Sequence, residues 1–168
     1  MKRATKYVIA SLFTLLMAYS GFVTYNWLEG ARERKVIVSY AIAISDIPLR
    51  ELSEMGSMLE YLKEHSTEDL LKERISKYQF HARTLYYSSS MLYTLTRDEK
   101  YQIFRTAMRN LESFYISVNN KPNAKEIIES NLNVLKQMGY ILNAINRINN
   151  LTLTDAEKLL KLSEELEY

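Results

Sequence analysis

Apolar residues recur along most of the chain at alternating steps of three and four, which is the spacing of one face of an α-helix. Turns rich in Ser, Thr, Asn and Pro divide this pattern into four long stretches and one short stretch. We therefore predict four helices of about 20 to 30 residues each and a short fifth helix. The residues predicted to face the core are, helix by helix, Ile37, Ala41, Ile44, Leu52, Met55, Leu59 and Leu62; Leu71, Ile75, Tyr78, Ala82, Leu85, Ser89 and Leu92; Tyr101, Phe104, Met108, Leu111, Tyr115 and Val118; Ile127, Ile128, Val134, Leu135, Met138, Ile141, Leu142, Ile145 and Ile148; and Ala156, Leu159, Leu162 and Leu166.

The composition favours an all-α fold. Only 4 Gly and 2 Pro are present, which leaves little material for the turns of a sheet. Short connections make consecutive helices antiparallel, so we expect an antiparallel four-helix bundle with a short C-terminal fifth helix. Pro48 is expected to disturb the first of these helices, because proline lacks the backbone donor that a helix interior uses. We expect a kink there, or a restart with Ser45 or Asp46 as the N-cap.

The amino-terminal segment has a different pattern. Residues 7–28 form 22 consecutive uncharged positions after a basic tail over residues 1–6. About 20 apolar residues in a helix span the hydrocarbon core of a bilayer, and Tyr25 and Trp27 are residue types that favour the membrane interface. We predict a transmembrane anchor over residues 7–28 whose helix continues into a helical bundle domain over residues 29–168.

A cleaved signal peptide is the alternative to an anchor. Residues 8–17 have the pattern of an apolar signal core, and Ala18 and Ser20 before Gly21 have the pattern of a cleavage site. The apolar character that continues to Leu28 favours a retained anchor. Similar numbers of basic residues lie on the two sides of the predicted anchor, so the position of the anchor at the amino terminus, like that of a signal peptide, decides its orientation. We expect a single-pass protein of the cell membrane with its bundle outside the cytoplasm.

The charge pattern indicates a membrane partner and no nucleic acid partner. The net charge is only +2, and the basic residues are interleaved with acidic ones. The basic residues beside residues 7–28 are placed to contact lipid headgroups, and each such contact contributes about 1 kcal/mol to binding an anionic membrane surface. The alternative is that these residues form a solvated helix face. The predicted headgroup contacts are Lys2, Arg3, Lys6, Arg32, Arg34 and Lys35.

Residues 84–95 read TLYYSSSMLYTL and are rich in tyrosine and serine. Helical spacing turns Leu85, Ser89 and Leu92 towards the core, where the small serine lets a neighbouring helix approach closely. The larger side chains flank this buried face, and tyrosine is enriched in the energetically important parts of protein interfaces. The residues predicted to contact another protein or a second copy are Tyr86, Tyr87, Met91 and Tyr93.

Residue patterns that carry chemistry are missing from the sequence. There is no cysteine, and His65 and His81 are the only histidines; neither completes the Glu-x-x-His pattern of metal-binding bundles. No acid falls on the apolar faces, and no glycine-rich phosphate loop occurs. We therefore predict no enzymatic activity, metal site or cofactor. Asn150 begins the sequence Asn-Leu-Thr, which predicts N-glycosylation if the bundle is outside the cytoplasm.

These patterns predict a membrane-anchored helical-bundle protein that acts through protein contacts at the cell surface, as an accessory subunit or a scaffold. The alternative is a ligand-sensing or carrier bundle that binds a small apolar molecule between its helices. A cavity near Ala82 and Ser89 would favour the alternative, and an exposed apolar patch would favour protein contacts.

Overall fold

The computed structural model describes the backbone of residues 3–167 and the side chains of this range except those of residues 3–5 and 8–10. Within this range the regular structure is helical and no strand is present, which confirms the predicted all-α class. The elements are α1 (Arg3–Ser53), α2 (Met55–His65), α3 (Glu68–Thr96), α4 (Glu99–Asn119), α5 (Ala124–Ile145), a 3₁₀ turn (Ile148–Asn150) and α6 (Leu153–Glu164).

The chain divides into two compact units, of which the first ends at Ile37 and the second begins at Val38. In the second unit α4 packs on α3 and α6, and α5 packs on α2 and α6. Arg97, in the two-residue connection between α3 and α4, has a left-handed conformation with φ of 59°. Helices packed side by side through short turns confirm the predicted bundle-like packing.

The predicted apolar faces form the core of the second unit. Leu85, Ser89 and Leu92 of α3 are fully buried, as predicted. Each buried leucine contributes about 1.5 to 3 kcal/mol relative to an exposed one. Tyr78 and Tyr115 are fully buried too, with ring centroids 6.0 Å apart. The predicted core positions that are only partly buried or exposed are Ile37, Ile44, Leu62, Ile127, Val134, Ile141 and Leu162.

The predicted restart of the first helix at Ser45 or Asp46 is wrong. Helix α1 continues through Pro48 and is interrupted only at Glu54, where φ is −96° and ψ is 0°. Ser45 does not cap a helix; its hydroxyl donates to the carbonyl of Ala41 and lies 2.8 Å from the hydroxyl of Ser88. Residues on both sides of the proline are buried on the same face of α1, and this packing outweighs the lost backbone hydrogen bond.

Two glycines let α5 approach the interruption between α1 and α2 closely. A Cβ atom added to Gly139 would lie 2.7 Å from the carbonyl oxygen of Ser53. A Cβ atom added to Gly56 would lie 2.7 Å from the Cα atom of Lys136. Both contacts involve backbone atoms, so the space cannot be recovered by rotating a side chain. Glycine at both positions therefore sets the distance between these helices.

The first unit is the amino-terminal part of α1. Its side chains from Ser11 to Glu29 are all exposed, and these include Phe13, Leu15 and Trp27, each more than 60% exposed. Across the described residues, no helix has both the length and the apolar character needed to cross a bilayer. The fold therefore gives no support to the predicted transmembrane helix over residues 7–28.

Candidate interaction surface

The four residues predicted to contact a partner lie on two flanks of α3. Tyr87 is 58% exposed, whereas Tyr86, Met91 and Tyr93 are half-buried against the core. The rings of Tyr86 and Tyr87 meet edge to face, with centroids 5.0 Å apart. Because Tyr86 and Tyr93 are seven residues apart, they share one flank of the helix, and Tyr87 and Met91 share the other.

An exposed aromatic residue that the sequence analysis missed extends the Tyr87 flank. Phe80 lies seven residues before Tyr87, so the two occupy the same face of α3, and Phe80 is 63% exposed. Between them, Arg83 Nε donates to Glu112 Oε1 of α4 at 2.6 Å, and this carboxylate raises the pKa of Arg83. We call Phe80, Arg83 and Tyr87 the α3 aromatic face. The spacing of seven was the signal that could have revealed it.

The Tyr93 flank is bounded by basic side chains. The guanidinium carbons of Arg97 and Arg105 lie 5.9 Å and 5.8 Å from the centre of the Tyr93 ring. Such distances allow a cation–π attraction of about 0.5 to 1 kcal/mol at an exposed site. Tyr93 is therefore held at the boundary of α3 and α4, and Tyr87 is the most exposed of the predicted contact residues.

A polar cluster joins α1 to α3 beside the core. Arg74 Nη2 donates to Glu51 Oε2 at 3.2 Å, and its guanidinium carbon lies 4.8 Å from the ring centre of Tyr78. Burial raises the pKa of Tyr78, although Arg74 opposes the shift. Burial lowers the pKa of His81, whose Nδ1 has no hydrogen-bond partner within the described residues.

This cluster connects α1 to α3 through the ion pair of Arg74 with Glu51. A general acid or base needs direct reach to a substrate, and Tyr78 is fully buried. Tyr115 is buried as well, and burial raises its pKa well above the ordinary value, so both phenols stay protonated. The hydroxyl of Tyr115 donates to Met55 Sδ at 3.2 Å. In the part of the chain described, no three His, Asp or Glu side chains are grouped as metal ligands.

The basic residues predicted to contact lipid lie in the first unit. Lys2 and the side chain of Arg3 lie outside the described residues. The others are exposed, and Arg34 Nε donates to the carbonyl of Gly30 at 3.2 Å. The exposed basic residues are Lys6, Arg32, Arg34 and Lys35.

The predicted glycosylation site is exposed but engaged in local structure. Asn150 ends the 3₁₀ turn, and its amide donates to the carbonyl of Ile145 at 3.3 Å. Leu151 is buried, and the Thr152 hydroxyl accepts from the backbone N–H of Asp155 to cap α6. Glycosylation stays a prediction.

Surface clefts of the second unit include the following three, each lined by described residues. One, of about 240 Å³, lies between α1 and α5 and is lined by Asp46, Arg50 and Arg147 among others. The second lies between α2 and α3, beside Arg74, and the third lies along α2 and α5, beside Tyr140. None of these three is lined by Ala82 or Ser89, which are fully buried. No local sequence pattern indicates the cleft between α1 and α5.

Comparison with known proteins adds no relative. No protein-family model matches the chain, and no curated protein or solved structure matches it.

Proposed function

We propose that this chain is a membrane-anchored helical-bundle protein that acts through protein contacts at the cell surface, as an accessory subunit or a scaffold. The observation that carries the proposal is the continuous exposure of residues 11–28, which contain no charge. A helix that is apolar on all sides is normally covered by lipid or by other protein. We assign residues 7–28 to the bilayer and the basic residues beside them to lipid headgroups.

The α3 aromatic face supports a role in protein contacts. Phe80 and Tyr87 expose their rings on a helix whose opposite side is fully packed in the core. Aromatic residues and arginine are the types most enriched in interface hot spots, and Arg83 lies between the two rings. A partner that covers this face gains the apolar area of two rings at little entropic cost, since the ion pair of Arg83 with Glu112 already restrains the arginine.

Extraction from membranes tests the anchor. The parent chain should remain in the membrane pellet after alkaline carbonate treatment. Leu15→Arg places a charge in the middle of the proposed span and should release much of the protein, because a central arginine costs about 2.5 to 3.5 kcal/mol on insertion scales. Val36→Arg, at a similarly exposed position outside the span, is the matched control. Full release of the parent chain would refute the anchor.

The absence of cysteine from the sequence makes orientation directly measurable. Ser57→Cys, at an exposed position in the bundle, should react with a membrane-impermeant maleimide on intact cells. Ala4→Cys, on the other side of the proposed span, should react only after lysis. The reverse pattern would place the bundle inside the cytoplasm.

Site-specific crosslinking tests the α3 aromatic face. A photo-crosslinking amino acid at Tyr87 should give one discrete adduct in native membranes, and Phe80→Glu in the same chain should abolish it. The matched control places the crosslinker at Gln137, an exposed position on α5. Equal adducts from Tyr87 and Gln137 would show that α3 has no specific partner.

The alternative, a bundle that carries a small apolar molecule between its helices, has less support. Its predicted location beside Ala82 and Ser89 is closely packed, and both residues are fully buried. A resident molecule would need an internal apolar cavity there. Extraction of the purified protein with organic solvent, followed by mass spectrometry, should therefore release no stoichiometric small apolar molecule.

A further inference from the structure

We propose that the cleft between α1 and α5 binds a small zwitterion of the free α-amino acid class, with the ammonium group at Asp46 and the carboxylate between Arg50 and Arg147. The cleft has a volume of about 240 Å³. The proposal does not depend on the membrane anchor or on the α3 aromatic face, because all of the residues that carry it lie in the second unit and none of them belongs to α3.

Five polar side chains of this cleft have no hydrogen-bond or ion-pair partner among the described residues. Two arginines elsewhere in the bundle form ion pairs: Arg74 with Glu51, and Arg83 with Glu112. In the cleft, by contrast, two arginines, two amides and a carboxylate converge, and within the described residues none of these side chains has a hydrogen bond or an ion pair. They are Asp46, Arg50, Asn143, Asn146 and Arg147. Convergent unpaired polar groups in a concave site are typical of ligand binding.

One end of the cleft favours a cation. The Oδ1 atom of Asp46 is buried and accepts no hydrogen bond from the described residues. Asp46 is partly buried and lines the cleft, and a carboxylate in such a site that receives no hydrogen bond is unfavourable, so a ligand that supplies an N–H to this carboxylate is stabilised there. Helix α5 ends at Ile145 beside the same cleft, and the carboxyl end of a helix carries a partial negative charge. An ammonium group satisfies both features.

The other side of the cleft favours an anion. Arg50 lies four residues after Asp46 and therefore on the same face of α1. The turn after α5 places Arg147 at the same cleft. The backbone N–H of Arg147 donates to the carbonyl of Ile145, and Asn146 between them has φ of 56° and ψ of −39°. This is the rare form of the γ-turn, a strained conformation of the kind that clusters at ligand sites. Two guanidinium groups suit a carboxylate, which accepts paired hydrogen bonds.

The size and floor of the cleft limit the ligand further. Leu49 and Leu142 form an apolar floor, and each is only 1% exposed. Pockets for drug-sized molecules measure about 300 to 1,000 Å³, so this cleft suits a smaller molecule. A ligand that fills this cleft must carry a positive and a negative charge close together, and it must also have a short apolar portion. A free amino acid with a small or medium apolar side chain has this arrangement.

Binding to the full chain in detergent micelles tests the proposal. Each of the twenty L-amino acids is titrated separately by calorimetry, and at least one should bind. Asp46→Asn and Arg147→Gln should each weaken that binding by roughly tenfold or more, because each removes a charged hydrogen-bond partner. Arg109→Gln is the matched control and should leave the affinity unchanged, because Arg109 is an exposed arginine of α4 with no hydrogen bond or ion pair to any described residue.

Blocked analogues separate the zwitterion from its two halves. The N-acetyl derivative, which lacks the ammonium, and the amide derivative, which lacks the carboxylate, should each bind at least tenfold more weakly than the parent amino acid. Phosphoethanolamine carries the same pair of charges on a lipid headgroup. Its binding without any amino acid response would assign the cleft to lipid and overturn the proposal. No binding by any amino acid, equal binding of either blocked derivative, or equal affinity of Asp46→Asn would overturn it too.

Discussion

Replacing Gly139 by alanine tests how closely α5 approaches the carboxyl end of α1. The added methyl carbon would lie 2.7 Å from the carbonyl oxygen of Ser53. Carbon–oxygen contacts ordinarily measure about 3.3 to 3.6 Å, so the two helices must separate by about 0.6 to 0.9 Å. A gap of about 0.5 to 1 Å forfeits a quarter to a half of each dispersion contact that it opens. The contact is with backbone, and no side chain can move aside to relieve it.

The expected change in the free energy of unfolding follows from two opposing effects. Overpacking of this kind costs about 1 to 3 kcal/mol, with backbone clashes at the upper end. Alanine in a helix interior recovers about 1 kcal/mol relative to glycine. Gly139→Ala should therefore destabilise the bundle by about 1 to 2 kcal/mol. Gly56→Ala should behave similarly, since its methyl carbon would lie 2.7 Å from the Cα atom of Lys136.

Denaturant unfolding of the full chain in mild detergent, followed by far-ultraviolet circular dichroism, measures the effect. The midpoint should fall while the dependence on denaturant concentration stays the same. Gly30→Ala is the control, because nothing lies within 4 Å of a Cβ atom added there; it should not destabilise the chain. If Gly139→Ala were as stable as the parent or more stable, α5 would not approach α1 in the way described.

Three further predictions concern α3 and the carboxyl end of the chain. Leu85→Ala should lower the free energy of unfolding by about 2 to 5 kcal/mol, because the Leu85 side chain is fully buried. Tyr87→Ala should lower it by less than about 1 kcal/mol, because Tyr87 is 58% exposed. Equal shifts in the unfolding midpoint would contradict this orientation of α3. Asn131→Leu should speed hydrogen exchange at the amide of Glu167, since the Asn131 side chain bonds both the N–H and the carbonyl of Glu167 at 2.8 Å; unchanged exchange would refute this. Burial lowers the pKa of His81, so the unfolded chain binds the proton more tightly, and the free energy of unfolding should fall as the pH drops below about 6.5. His81→Gln should reduce this loss of stability between about pH 7 and pH 5. If the variant and the parent chain had the same pH dependence, His81 would be excluded as its source.

The fold was largely predictable because helical spacing records which side chains face the core. Ala82, Leu85 and Ser89 of α3 are fully buried, as the steps of three and four indicate. The position of the break in the first helix was not predictable in this way. Proline at position 48 is a strong local signal for a break, but burial on both sides of it keeps α1 continuous, and the break falls at Glu54. Local preference gave way to tertiary packing.

The candidate sites were less predictable, because they depend on which residues distant in sequence come together. Asp46 and Arg147 are on different helical segments, and no local pattern indicates that they line one cleft. The pairing of Ser45 with Ser88 is similar: the sequence suggested a helix cap, whereas the hydroxyl groups meet across α1 and α3. Of the tyrosines, Tyr87 could be placed on an exposed flank by spacing alone.

The two-residue connection between α3 and α4 has a consequence for the folding kinetics. Asn119 Nδ2 donates to Ser76 Oγ, and Arg83 pairs with Glu112, so the two helices run antiparallel from a turn at Arg97. Contacts near such a turn close a very short loop at little entropic cost. Joining α1 to α5 instead closes a loop that includes the whole α3–α4 hairpin. The hairpin should therefore form early in the transition state, and the glycine contacts of α5 should form late.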